Sequence, residues 1–471
     1  MRFYATNFSD IGKQMSARLD PKYRYFWDVE KGILFRSLSN TKLGNVISEI
    51  SVSKVKKGEL DEPRQLMSIP GQAVRSARIQ NLDEVTEIDS DKNPLGGADI
   101  IISKLGLPKG LIFYNGEKCE ILIGSTEFIP YKLIDDQWNS KFLTYLLLLP
   151  EVLEKLARLE SGKTPSHRRV NPFDLMNVKI PVVAKTVQDI ALGKIEPIES
   201  EIQRLQGTIN DPAETISRVF AREFGFDLTR FDELKRQKIF FVDLRDFANN
   251  DDLRFSVKFH RQAAKFVESE LRSRTDKSIK DFLAEDIVLG ASVSPDDYDD
   301  DGEFYYVAMS SIKSWSFDKE SARSVSAEYV NRNRAKSVKK ADIIMARSGE
   351  GTIGKVALIE GDEQGIFADF TMRIRLRGYD AEFAYYYFRT QYMQYLIETH
   401  KKGLGNNTNI FPNQIKEFPM LEVSRETQTR LVREIRAEFS TQDKIKRRVE
   451  IKRAEIDEIF QQLIRSTYPL E

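Results

Sequence analysis

Apolar and polar positions along this chain of 471 residues follow a pattern that is written twice. The runs Ala98-Asp-Ile-Ile-Ile102 and Ala341-Asp-Ile-Ile-Met345 are short, apolar and bounded by turn residues, which predicts a strand in each case. Each is followed by a basic residue (Lys104, Arg347), a Gly turn, a further lysine (Lys109, Lys355) and a second apolar strand. A shift of 243 lays "ADIIISKLG" on "ADIIMARSG" with five of nine positions identical. A shift of 236 lays "LGNVISEI" from Leu43 on "IKDFLAED" from Ile279, and the stretch from Arg18 to Tyr23 on that from Arg254 to Phe259. A shift of 240 superposes Pro172 on Pro412, Leu175 on Ile415, Val178 on Phe418, Gln188 on Gln428 and Ile195 on Ile435. The matches keep one order, and loop insertions account for the drift, so the chain reads as a tandem repeat dividing near residue 236.

Each half then turns helical. From Ser424 to about Ser466 there is no Gly or Pro, and Ile435, Val449, Ile456 and Leu463 recur at multiples of seven, a stripe that calls for a partner helix. A continuous helix of that span is on the order of 60 Å long. In the first copy Ile190, Ile195, Ile198, Ile202 and Leu205 supply the apolar side, but Gly193 and Pro197 predict a kink. A further helical run, "PAETISRVFAREFG", follows. The aromatic "EFAYYYFRTQYMQYL" and its counterpart "KFLTYLLLLPEVLEKL" read as helices packed on a sheet, and "MRIRLR" as a solvated strand face.

The expected fold class is α+β. Two mixed α/β domains, 1–183 and 237–423, are separated by helical segments, 184–236 and 424–471, that pack antiparallel and give the tandem repeat a pseudo-two-fold relation.

Composition narrows the function. Lys plus Arg and Asp plus Glu both number 72, so affinity for a polyanion has to come from local clusters. The single cysteine, Cys119, excludes an internal disulfide and suits a reducing cytoplasm. The N-terminus has no apolar signal region, and "FLTYLLLLPEVL" is too short to span a bilayer.

"SGEGTIGKV" has the glycines and lysine of a phosphate loop, but Val356 stands where a Ser or Thr should hold magnesium. Its first-copy counterpart, "SKLGLPKGLI", lacks the spacing altogether, so both read as turns carrying basic residues. Such turns suit a polyanion. Between Ala322 and Lys340 six Lys and Arg, among them Arg334 and Lys336, face one Glu. "SGKTPSHRRV" groups Lys163, His167, Arg168 and Arg169, and the aligned "KKGLGNNTNI" offers Lys401, Lys402, Asn406, Asn407 and Asn409. A shared frame with different residues suits two domains reading different bases, since Arg and Lys pair with guanine and Asn with adenine. The acidic "PDDYDDDGE" has no regular ligand spacing and the three histidines are scattered, so no metal set is expected. No Pro-Pro pair of an amino-methyltransferase motif and no nucleophilic triad is present in the sequence.

The duplicated unit, "ADIIMARSGEGTIGKVALI" followed by "NQIKEFPMLEVSRETQTRLVREI", resembles the specificity subunits of type I restriction-modification systems. That resemblance implies two target recognition domains, each reading half of a split sequence in double-stranded DNA, with helices that set the gap and dock two methyltransferase subunits. It places docking on Gln188, Ile195, Ile202, Gln428, Ile435, Val449, Ile456 and Leu463. It also implies that this chain is not an enzyme and holds no cofactor, S-adenosylmethionine and ATP belonging to the methyltransferase and to a restriction/translocase subunit. A nucleotide-binding enzyme using Gly349 to Lys355 and a purely protein-binding scaffold are the alternatives.

Overall fold

The computed structural model describes residues 18–35, 39–116, 118–163, 167–237, 239–245, 256–349, 351–403 and 408–467, with side chains to 463. Its packing forms two compact units, Met1–Gly207 with Arg447–Glu471, and Thr208–Lys446. These units do not follow the sequence repeat: the end of the second copy belongs with the first unit, and the chain enters the second unit well before residue 236.

The first unit contains strands β1 (Ile47–Glu49), β2 (Gly58–Met67), β3 (Leu82–Ile88), β4 (Lys92–Pro94), β5 (Ile100–Ser103), β6 (Ile112–Tyr114), β7 (Leu122–Ser125) and β8 (Phe128–Leu133). Helices α1 (Ser140–Leu148), α2 (Pro150–Leu156), α3 (Pro172–Asn177) and α4 (Lys185–Gln206) follow. One sheet has the order β1-β8-β5-β6 with Ala77–Arg78 beyond β6, and the other has the order β3-β2-β7-β4. All four residues of β5 are buried, which is why its sequence is apolar without alternation.

The second unit opens with α5 (Pro212–Phe224), α6 (Leu228–Arg236) and α7 (Gln262–Arg272). Strands β9 (Val288–Leu289), β10 (Phe304–Val307), β11 (Arg323–Val325), β12 (Ile343–Ala346), β13 (Val356–Leu358), β14 (Gly365–Phe367) and β15 (Thr371–Ile374) come next. Then follow α8 (Ala381–Phe388), α9 (Gln391–His400), α10 (Pro412–Glu417) and α11 (Arg425–Thr467). The sheets run β9-β15-β12-β13 and β11-β10-β14, the first repeating β1-β8-β5-β6 strand for strand. In both units the central strand is antiparallel to both neighbours, with Ile100 opposite Tyr131 and Ile343 opposite Ile374. In both, the second sheet contains a parallel pair, β2 with β7 and β10 with β14.

Individual hydrogen bonds recur at the same offsets. Leu43 N donates to Val178 O at 2.9 Å, and Ile279 N to Phe418 O at 3.0 Å. Asn139 N donates to Gln188 Oε1 at 2.8 Å while Gln188 Nε2 donates to Val183 O at 2.8 Å. Asp380 N donates to Gln428 Oε1 at 2.7 Å while Gln428 Nε2 donates to Val423 O at 2.7 Å. Asn139 and Asp380 are the N-caps of α1 and α8, so each buried glutamine ties a long helix to the first helix behind its sheet.

α11 is one helix of 43 residues, as the heptad stripe predicts. α4 is continuous over 22 residues with Pro197 inside it, so neither Gly193 nor Pro197 breaks the helix. Packing of Ile195, Ile198 and Ile202 holds α4 together where Pro197 lacks its N–H. Within the second unit α5 lies antiparallel to α11, because Arg218 pairs with Glu438 and Arg222 with Glu434. Phe220 of α5 packs on Phe383 and Tyr387, with centroids 5.2 and 5.9 Å apart. In the first unit Phe460 of α11 makes the matching contacts to Phe142 and Tyr145 at 5.0 and 5.9 Å. Thus a segment from the opposite copy completes each core.

In the first unit Glu199 of α4, 4% exposed, is bonded by Arg78 Nε (2.9 Å), Lys141 Nζ (2.6 Å), Tyr145 OH (2.7 Å) and Tyr114 OH (3.1 Å). Burial alone would raise its pKa; the bonds from Arg78, Lys141 and Tyr145 win and hold the carboxylate at about 2. This stability is complete above the ordinary glutamate range and is lost as pH falls from about 4.5 towards 2, a difference on the order of 3 kcal/mol. Glu199→Gln is therefore expected to flatten the pH 6 to pH 3 decline of the urea midpoint, and an unchanged decline argues against the assignment. Phe460→Ala should lower stability by about 3–5 kcal/mol in denaturant unfolding, although Phe460 lies more than 300 residues from the partners it covers.

Candidate nucleic-acid interface

Lys104 and Arg347 leave the central strands at equivalent points. Lys104 N donates to Glu127 O and its carbonyl accepts from Val170 N; Arg347 N donates to Phe370 O and its carbonyl accepts from Ile410 N. Each is clamped between a strand hairpin and a later segment, residues 169–170 in the first unit and 409–410 in the second. The Gly turns after them are also equivalent, Gly106 and Gly349 both having positive φ, as do Gly110 and Gly354. Gly354 has no substitute, because a Cβ there would lie 2.8 Å from Ile397 Cγ2 at a φ of +81°. The lysines are not equivalent, however, because Lys109 precedes Gly110 whereas Lys355 follows Gly354.

In the first unit the turn and loop bring Lys104, Lys109, Arg168 and Arg169 together. Leu105 bridges Arg169, and both Lys109 and Arg168 act on Glu160, whose carboxyl burial nonetheless holds above its ordinary range. Arg169 is committed to Glu127, with Nε at 3.0 Å and Nη2 at 2.8 Å, so its charge is largely spent. Lys109, Lys163 and Arg168 are exposed and Lys104 is half-buried. Glu127 is the residue missed from sequence; it follows a turn between apolar strands and carries no motif.

In the second unit Arg347 donates through Nε to Asp369 O (2.9 Å) and through Nη1 to Asn409 Oδ1 (3.2 Å). Asn409 is also held by backbone bonds with Lys402, so Arg347, Lys402 and Asn409 form one polar surface. Lys401 pairs with Glu398 at 2.7 Å. Lys355 points elsewhere, donating to Lys313 O at 3.0 Å beside the Trp315 ring. Its turn joins two antiparallel strands instead of opening a helix, so it lacks the helix N-terminus of a phosphate loop. Arg334 and Lys336 sit apart on a short turn whose Ser337 bridges Ile366 of β14. Asn406 and Asn407 lie outside the described residues.

No protein-family model matches the sequence, and no curated protein matches it. Three solved structures resemble the chain over most of its length. A chain of a structure described as the basis of complex assembly and conformational transition of the type I R-M system is 13% identical, with a TM-score of 0.41, covering 91% of this chain and 98% of that one. The HsdS subunit from Thermoanaerobacter tengcongensis is 13% identical at a TM-score of 0.33, covering 91% and 96%. The type I restriction-modification S subunit from M. genitalium is 12% identical at 0.36, covering 92% and 96%.

The helix residues singled out for docking are occupied by packing within this chain. Gln188, Ile195, Ile202, Gln428, Ile435, Val449 and Ile456 are buried, and Leu463 is partly so. "MRIRLR" is not a solvated face: Arg373 is 5% exposed and pairs with Glu285, and Arg375 grips Asp342 through Nε and Nη2, both at 2.7 Å. The acidic loop is likewise structural, Asp297 capping Ser294 and pairing with Arg332. No metal-holding cluster occurs among the described residues.

Replacing Lys104, Lys109 and Arg168 together by alanine is expected to weaken DNA binding by about 10-fold or more near 0.1 M salt and to flatten the salt dependence by about two charges. Arg169→Ala should change the slope little, because Glu127 already neutralises it. Anisotropy titrations across a salt series measure both, and equal slopes for wild type and the triple variant would remove these residues from the interface.

Proposed function

We propose that this chain is the DNA specificity subunit of a type I restriction-modification complex, each module reading one half of a bipartite duplex target. One observation carries the reading: a like two-sheet frame with an equivalent turn occurs twice, with Lys104 in one copy where Arg347, bonded to Asn409, stands in the other. Identical frames with different donors give two related docking modes and two different base preferences. Arg347 and Asn409 carry the side-chain types that address guanine and adenine edges, whereas Lys104, Lys109 and Arg168 suit phosphate or guanine.

On this reading the chain contributes address and scaffold and no chemistry of its own. Two methyltransferase subunits carrying S-adenosylmethionine dock on the outward sides of α4 and α11, and an ATP-driven restriction/translocase subunit joins that assembly. The setting is the cytoplasm, where the DNA is. No helix among the described residues is long and apolar enough to cross a membrane.

Mapping methylated adenines in DNA from cells that express the chain with its methyltransferase tests the proposal. The expected outcome is a single motif of two short blocks separated by a fixed unread gap; one continuous motif overturns it. The helices are expected to act as the ruler. Seven residues inserted after Ser440, with a matched insertion after Asn210 so that Gln442 keeps its bonds to Thr208 and Asn210, should lengthen the gap by about three base pairs without changing either block.

A further inference from the structure

Within the second unit, α6, the start of α7 and the outer side of α9 enclose a cleft of about 490 Å³. Its charged lining is Lys235, Lys258, Arg261 and the carboxylate of Glu398, set among the neutral Gln391, Gln394 and Thr399. The anionic side chains nearby are already engaged. Glu398 is shared between Lys258 and Lys401, and Asp232 pairs with Lys235 at 3.4 Å. Arg261 has no ion-pair partner among the described residues, and its Nε is buried without an acceptor. The Tyr395 hydroxyl is also buried without a partner. A buried donor without an acceptor costs about 1–3 kcal/mol, so the wall of this cleft holds two strained polar atoms, and the rest of the Arg261 guanidinium is the group left to meet an anion. Arg261 is moreover the N-cap of α7, a helix of 11 residues without a side-chain cap, which adds positive potential at this end.

We propose that this cleft binds a phosphate group, and that in the assembled complex the group is a backbone phosphodiester next to the half-site read by the second module. The assignment rests on the DNA-reading proposal above. The cleft is continuous with that surface through its own contacts: Lys258 and Lys401 share Glu398, Lys402 is bonded to Asn409, and Asn409 accepts from Arg347. The phosphate oxygens accept from the guanidinium of Arg261, while Lys235 and Lys258, each already paired with one carboxylate, add only part of a positive charge. Such a contact adds affinity without adding sequence information, since backbone contacts fix register and base-edge contacts specify. The methylated motif is therefore independent of this cleft, and binding strength is not.

The test uses the full complex with Arg261→Gln, and Arg261→Lys as the charge-keeping control, both first shown to melt as wild type does. Arg261→Gln is expected to lower affinity about 5- to 10-fold near 0.1 M salt, reduce the salt slope by about one and leave the methylated motif unchanged, whereas Arg261→Lys restores most of the affinity. A series of duplexes with one neutral methylphosphonate each should contain one linkage, outside the base-read blocks, whose neutralisation weakens wild type but not Arg261→Gln. An unchanged slope, or no such linkage while the two-block motif persists, overturns the cleft assignment and leaves the specificity reading standing. If inorganic phosphate raises the melting temperature of wild type but not of Arg261→Gln while no linkage responds, the assignment to a backbone phosphate is overturned. Loss of the two-block motif from the wild-type map refutes the specificity reading itself.

Discussion

One buried side chain per module holds the architecture together, Gln188 in the first unit and Gln428 in the second. A glutamine offers an acceptor and two donors on one planar group, and here it accepts from the N–H of a helix-capping residue while donating to the carbonyl at the entry of its own helix. Both groups are buried, so losing the amide leaves unpaired main-chain polar atoms and costs more than the bonds themselves contribute. The constraint fixes the angle at which a long helix leaves its globular body.

Around that joint each copy uses a different set of charges. Lys141 on α1 faces Glu196 and Glu199 of α4, while the equivalent pair in the second unit is reversed, with Glu382 on α8 and Arg436 on α11. Pairing either body with the other's helix would bring like charges together. Phe220 and Phe460 act in the opposite sense, since each leaves its own copy to complete the other unit's core. The reversed ion pairs keep the bodies on the correct helices, and the exchanged aromatics make each core depend on both copies.

The basic turns follow from the same economy. The sheets fix the main chain at Lys104 and Val170 and at Arg347 and Ile410 through bonds that are common to both units, and the side chains beside these bonds differ. Arg169 shows that a basic residue on the surface need not keep its charge free, because Glu127 takes the Nε–Nη2 edge of its guanidinium. Lys355, prominent in a glycine-rich motif, is turned towards Trp315 and the Lys313 carbonyl. The cationic cleft around Arg261 has no motif at all.

The repeat was legible in the residues because it preserves apolar positions and the proline, glycine and glutamine on which the local bonds depend. Offsets of 236, 240 and 243 read from the sequence reappear as hydrogen bonds at Leu43 and Ile279, Gln188 and Gln428, and Lys104 and Arg347. The unbroken α11 was equally legible, since a gap-free heptad stripe is a local property. Continuity of α4 through Pro197 was not, because packing on neighbouring residues, rather than propensity, decides whether a helix survives the loss of one bond. Nor were the burial of Arg373, the neutralisation of Arg169 or the exchange of Phe220 and Phe460, each of which depends on a partner 40 or more residues away. Sequence alone determined that there are two like modules with helical extensions and polar turns. Tertiary structure decided which charges stay free, because ion pairing and burial are set by distances that no local pattern encodes.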